Sequence, residues 1–164
     1  MKKVVLTTLL AVLVCVGTVV FAATDTKTVT VSATVSATAK LTLSSATLTF
    51  PDADPDTTPS IAPNEGAINI SAKGKTSAAG NITLVVRSDG NLVSGGDSIA
   101  ISNLTWTVTG AGYVPGTMNT VDQSLGSWTG SGNYAGTQTY ALANSWSYVT
   151  GTYGATLTYT LTAP

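Results

Sequence analysis

Two groups of side chains in this 164-residue chain have the types and spacing to do chemistry. The first is Asp52, Asp54 and Asp56, carboxylates at alternate positions like the opening of a calcium loop. An EF-hand places Gly at loop position six and Glu at position twelve, where this chain has Thr57 and Pro63. A solvated Pro-Asp turn is the favoured reading, and weak calcium binding the alternative. The second is Trp128, within Gly126-Ser127-Trp128-Thr129-Gly130. An indole carried on a glycine-serine loop could stack on a sugar ring, so Trp128 is the expected glycan contact. Trp106, Trp146 and the tyrosines near the C-terminus share the parity of aliphatic neighbours and are expected in the core.

The remaining chemistry is sparse. The chain has no histidine, which removes Ser-His-Asp and Cys-His catalysis and nearly all zinc and haem sites. Glu65 is the sole glutamate, so paired carboxylates for glycoside hydrolysis would have to come from aspartates in turn-like settings such as Ser88-Asp89-Gly90. A Lys–Asn isopeptide crosslink assisted by Glu65 is a further reading of that residue. No enzyme activity and no cofactor are expected. Asn69-Ile70-Ser71, Asn81-Ile82-Thr83 and Asn103-Leu104-Thr105 match glycosylation sequons, which arise by chance in a Thr-rich chain and stay bare in bacterial secretion.

The N-terminus reads as a targeting segment. Lys2 and Lys3 precede an uncharged apolar run from Val4 to Phe21, and Val20-Phe21-Ala22 offers small residues for cleavage after Ala22. Residues 1–22 are therefore an expected signal peptide, with an uncleaved anchor the alternative. This segment holds Cys15, the one cysteine, and two of the seven basic residues. Five basic residues then face eight acidic ones. Nucleic-acid binding is disfavoured, because it needs clustered Lys and Arg. No membrane span is expected after processing, and no disulfide braces the domain.

The elements that must position these groups are strands. From Val29 to Leu43 the odd positions are Val29, Val31, Ala33, Val35, Ala37, Ala39, Leu41 and Leu43, and every even one is Thr, Ser or Lys. Such period-two alternation predicts an extended chain with one buried face. Fifteen residues span about 50 Å, against about 20 Å for a usual strand. Either the strand bends and pairs twice, or its first half leaves the domain. The division is thus 1–22 signal peptide, 23–37 N-terminal extended strand and 38–164 β-sandwich. Val29, Val31, Ala33, Val35 and Ala37 are the candidate assembly strand. Further strands are predicted at 46–50, 68–70, 82–86, 99–101, 104–108, 140–148 and 153–161. A parity shift between Ile101 and Leu104 predicts a bulge or bend near Asn103. Residues 109–137, rich in Gly, Ser and Asn, read mostly as loop, with a short strand around 118–121. The composition, 9% charged and 43% hydrophobic, is far from the roughly 25% charge of an average soluble protein. It suits an all-β extracellular domain: an antiparallel, immunoglobulin-like or pilin-like β-sandwich.

Two family resemblances follow from these motifs. Val35-Ser36-Ala37-Thr38-Ala39, then Leu41-Thr42-Leu43 and Leu48-Thr49-Phe50, resemble the start of spore coat U-type proteins and archaic chaperone–usher pilins. The close at Gly151-Thr152-Tyr153-Gly154-Ala155-Thr156-Leu157-Thr158-Tyr159 is similar to their last strand. The resemblance implies a secreted subunit whose N-terminal strand completes the open sandwich of the next subunit. A cysteine pair usual in that family is missing, with Ala39 and Ala72 at the comparable places. The second resemblance is to the WxL cell-wall-binding family, through Trp106-Thr107-Val108 and the stretch from Tyr153 to Pro164, with Tyr159 where that family has Trp. It implies a non-catalytic module for wall polysaccharide. The expected role is a surface structural subunit, secreted or at the cell surface. It would associate with copies of itself or related subunits, and contact with cell-wall or host glycans would be a further role.

Overall fold

The computed structural model describes residues 23–164, so the expected signal peptide and its cleavage site lie outside the described residues. The chain divides between Ala33 and Thr34 into two units. In the first, residues 23–33 form no regular secondary structure, their side chains are exposed, and Lys27 pairs with Asp25 at 2.9 Å.

The second unit is an all-β sandwich of antiparallel sheets. Its strands are β1 (Thr38–Leu43), β2 (Ser60–Ile61), β3 (Ile68–Lys75), β4 (Asn81–Ser88), β5 (Leu92–Ser94), β6 (Asp97–Ile99), β7 (Leu104–Thr109), β8 (Gly116–Thr117), β9 (Gln123–Thr129), β10 (Gly132–Ala143) and β11 (Leu157–Thr162). One sheet runs β1-β3-β10-β7-β8, with β2 also on β10, and the other runs β11-β4-β9; β5 and β6 form a small hairpin. The parity shift before Leu104 is a single 3₁₀ turn over Ile101–Asn103, a bend between strands, the second of the two expected forms.

The alternation of β3 and β4 explains the core. Ile68, Ile70 and Ala72 from one sheet meet Ile82, Leu84 and Val86 from the other, all at 4% exposure or less. Trp106, Tyr140, Leu125 and Trp128 complete it. Each such aliphatic side chain contributes about 1.5–3 kcal/mol on burial.

Regular pairing of the first strand begins at Thr38, because β1 follows β3 from Lys75 to Ile70 and no partner continues beyond. The predicted strand map needs three corrections. Residues 46–50 form no strand, although Leu48 and Phe50 pack against the core. The stretch read as loop at 109–137 holds β8, β9 and the start of β10. Finally, β10 ends at Ala143 and β11 starts only at Leu157, so residues 144–156 are turns and irregular chain.

Candidate functional site

Both sheets end in an open edge. β1 pairs only with β3, and β11 only with β4. Between these edges lies a cleft of about 1680 Å³, lined on one side by residues 45–55 and on the other by 144–159. Leu104, Ile68, Ile99 and Ile101 form part of its floor. The two lips alternate in burial: Leu41, Leu43, Leu48 and Phe50 on one, and Tyr153, Ala155, Leu157 and Tyr159 on the other, are half-buried, with mostly exposed residues between them. The equivalent inward positions of β3 and β4 are fully covered. Half-buried apolar rows along two facing lips mark a place where a strand's worth of cover is lacking.

The backbone tells the same story. Among the described residues, Leu48, Phe50, Tyr153 and Ala155 have no backbone hydrogen-bond partner. What holds the lips comes from their outer sides. Thr49 N–H and Oγ1–H donate to the two Glu65 carboxylate oxygens at 2.8 and 2.9 Å, and Asn64 N–H donates to Thr49 O at 2.9 Å. On the opposite lip Thr156 N–H donates to Asp89 Oδ1 at 2.8 Å. The Thr49 backbone N–H is the main reason the Glu65 carboxyl sits below its ordinary value, and the Thr156 N–H does the same for Asp89. Each carboxylate thus stands in for a strand partner.

Beneath β11 the core carries a polar chain. Tyr140 and Tyr159 hydroxyls lie 2.7 Å apart, and Tyr159 Oη donates to Gln138 Oε1 at 2.8 Å. Burial pushes the Tyr140 phenol far above its ordinary value and the Tyr159 phenol up to about 12. Both stay neutral and act as hydrogen-bonding groups, not proton-transfer groups.

The predicted contact residues land differently from expectation. Trp128 is on β9, opposite Ile82, and is only 8% exposed. Its ring stacks on Tyr134 at 4.8 Å and meets Tyr113 edge-on at 4.9 Å, and its Nε1–H donates to Ala111 O at 2.7 Å. Gly126 and Gly112 make this burial possible, since a Cβ at either would collide with the indole. The glycine-rich sequence around Trp128 is a cradle, not an exposed loop, so Trp128 offers no face to a glycan. Trp146 is the reverse: expected inside, it is 70% exposed in a turn. Trp106 does lie in the core, edge-on to Tyr140.

Asp52, Asp54 and Asp56 share a loop but do not converge, and no group of three metal-ligating side chains occurs among the described residues. Asp54 Oδ1 instead accepts from the Asp56 N–H at 2.9 Å, and Asp56 Oδ1 accepts from Trp146 at 3.0 Å. Asp54 thus shapes its own turn, and Asp56 holds the indole of Trp146. A smaller hollow of about 520 Å³ over Thr42, Ser71, Thr109 and Thr137 contains no titratable side chain. Val29, Val31 and Val35 are 86%, 87% and 75% exposed, and Ala33 and Ala37 are exposed as well.

Comparisons with protein-family models, curated proteins and solved structures return no match for this chain. The fold and the cleft therefore carry the functional reading. Among the described residues no helix is long and apolar enough to cross a membrane.

Proposed function

We propose that this chain is a secreted structural subunit of the cell surface, and that copies join by strand donation, residues 29–37 of one filling the cleft of the next. The observation that carries this reading is the pair of half-buried lips, 44–50 and 151–158, facing each other across the cleft, with Leu48, Phe50, Tyr153 and Ala155 lacking backbone partners among the described residues. An inserted strand would satisfy those backbone groups and cover those side chains together.

Residues 29–37 have the required character. Alternate Val and Ala side chains present one apolar row, and Thr and Ser the other. Nine extended residues reach about 30 Å, enough to run the length of either lip. Three fully buried valines contribute about 1.5–3 kcal/mol each, and each new main-chain hydrogen bond about 1 kcal/mol net. Against this stands roughly 1–2 kcal/mol per ordered residue, so the contact depends on filling the whole cleft.

Donation between copies is favoured over a fold-back within one. A hairpin returning residues 29–37 along their own β1 needs a tight turn before Thr38. Residues 28–39 contain no Gly, Asn or Asp, the residues that two-residue hairpin turns favour. The run is instead rich in β-branched residues, which favour straight extended chain.

The test is the full chain carrying Val31→Asp and Val35→Asp. Charge on the apolar row should abolish assembly in size-exclusion chromatography while circular dichroism keeps its β signal. A variant that loses its β signal would show that these residues belong to their own sandwich, and the reading would fall.

A further inference from the structure

We infer that the turn bearing Trp146 is a contact site for a neutral, gluco-configured sugar ring. The indole is the large aromatic surface that the sandwich leaves bare, at 70% exposure, and it is held there by a built platform. Tyr148 N–H closes the turn on Ser145 O at 3.2 Å. The turn's N-terminal end is pinned by Asn144, whose Nδ2 donates to Ala53 O at 2.9 Å and Thr58 O at 3.1 Å. Its C-terminal end is pinned by Tyr148, which accepts from Asn103 Nδ2 at 3.0 Å and donates to Ala143 O at 3.1 Å. The indole N–H donates to Asp56 Oδ1 at 3.0 Å, which fixes the ring against rotation and satisfies its one polar atom.

What remains open is an apolar ring face beside hydrogen-bonding groups. Asp56 keeps a second carboxylate oxygen, and the Ser145 and Ser147 hydroxyls lie 2.8 Å apart at the base of the turn. A pyranose with equatorial hydroxyls fits this chemistry: its C–H face covers the indole and its hydroxyls donate to a carboxylate. Charge narrows the ligand. Asp52, Asp54 and Asp56 share the neighbouring loop, and no ion pair among the described residues reaches them. Uronic and sialic acids would meet uncompensated negative charge there. Trp146 also lines the cleft, outside the lips 44–50 and 151–158, so the unassembled chain is the form in which its ring face is open.

The test titrates the full chain with cellohexaose and with chitohexaose, read by tryptophan fluorescence and by NMR of the indole N–H groups. Oligogalacturonate is the anionic control. Saturable binding of a neutral probe is expected, weakened about tenfold or more in Trp146→Ala at an unchanged melting temperature, because truncating an aromatic anchor removes most of a small contact. Trp146→Phe should restore part of it, and Asp52→Asn, which removes a loop charge without touching the indole, should keep neutral binding while weakening the exclusion of oligogalacturonate. Absence of binding by both neutral probes would overturn the site, as would binding unchanged in Trp146→Ala. Equal binding of the anionic control to the unmodified chain would do the same. If Trp146→Ala impaired assembly of copies and left sugar binding intact, the ring would be a subunit contact and the inference would be wrong.

Discussion

Asp89 and Thr156 exchange two hydrogen bonds, Asp89 N–H to Thr156 O at 2.9 Å and Thr156 N–H to Asp89 Oδ1 at 2.8 Å. This exchange joins the C-terminal lip of the cleft to the end of β4. Glu65 gives the other lip a similar hold at Thr49. Both carboxyl groups are depressed below their ordinary values of 3.8 and 4.5, so their contribution to lip order is complete above about pH 4.5 and is lost as pH falls through the lower folded values. Protection factors for hydrogen exchange at residues 47–50 and 153–157, corrected for the intrinsic rate at each pH, are expected to fall in acid before the β3–β4 core opens. Asp89→Ala should bring that loss of protection to neutral pH on the 153–157 lip alone. Equal protection of both lips in Asp89→Ala would show that the carboxylate does not hold the chain there.

The phenols set an alkaline limit. Tyr159 has an ordinary value of 10.0 and a folded value of about 12, so the unfolded chain ionises first. Stability is therefore flat through neutral pH and falls as pH rises from about 10 to 12, by about 2 kcal/mol for this group. Denaturant melts across that range check the sign. In Tyr159→Phe the alkaline slope should shrink. At neutral pH that variant should lose about 1–3 kcal/mol, because Tyr140 and Gln138 lose a buried partner. Gln138 Nε2 already lacks one in the native fold.

Trp128→Ala should cost about 3–5 kcal/mol, as large-to-small changes in a packed core do. It removes a ring that touches both Tyr113 and Tyr134. Thermal melts of Trp128→Ala and Trp146→Ala side by side should separate the two indoles, with only the first destabilised. A Trp128→Ala chain with an unchanged melting temperature would contradict its placement.

The all-β sandwich was legible because β3, β4 and β7 alternate in the plain way that one buried face imposes. β9 was not, and its physical cause is local. The register slips between Leu84 and Val85, leaving Leu125 and Gly126 buried in succession, so the period-two pattern breaks where Trp128 follows. The first half of β10 hides for another reason: its inward positions are Gly132, Tyr134, Gly136 and Gln138, with two glycines and an amide where aliphatics would have signalled a strand. Trp146 misled by parity. It continues the even positions of Tyr140 and Leu142, but the strand stops at Ala143 and the turn carries the ring outward. The cleft could not be read at all, since it is a relation between two edges more than 100 residues apart in sequence. Its one sequence clue was the excess length of the alternating run from Val29 to Leu43.

Strand donation is tested most directly by where residue 31 goes. A photoreactive benzoylphenylalanine replaces Val31, and equal amounts of ¹⁴N- and ¹⁵N-labelled chains are mixed unfolded, allowed to assemble, and irradiated. Mass spectrometry then reads both partners of each crosslinked peptide pair. Mixed-isotope pairs joining residue 31 to residues 44–50 or 151–158 are expected. Pairs that always carry one isotope would place the strand in its own sandwich, and mixed pairs confined to surfaces outside the cleft would place the contact elsewhere. Either result would contradict donation into the cleft.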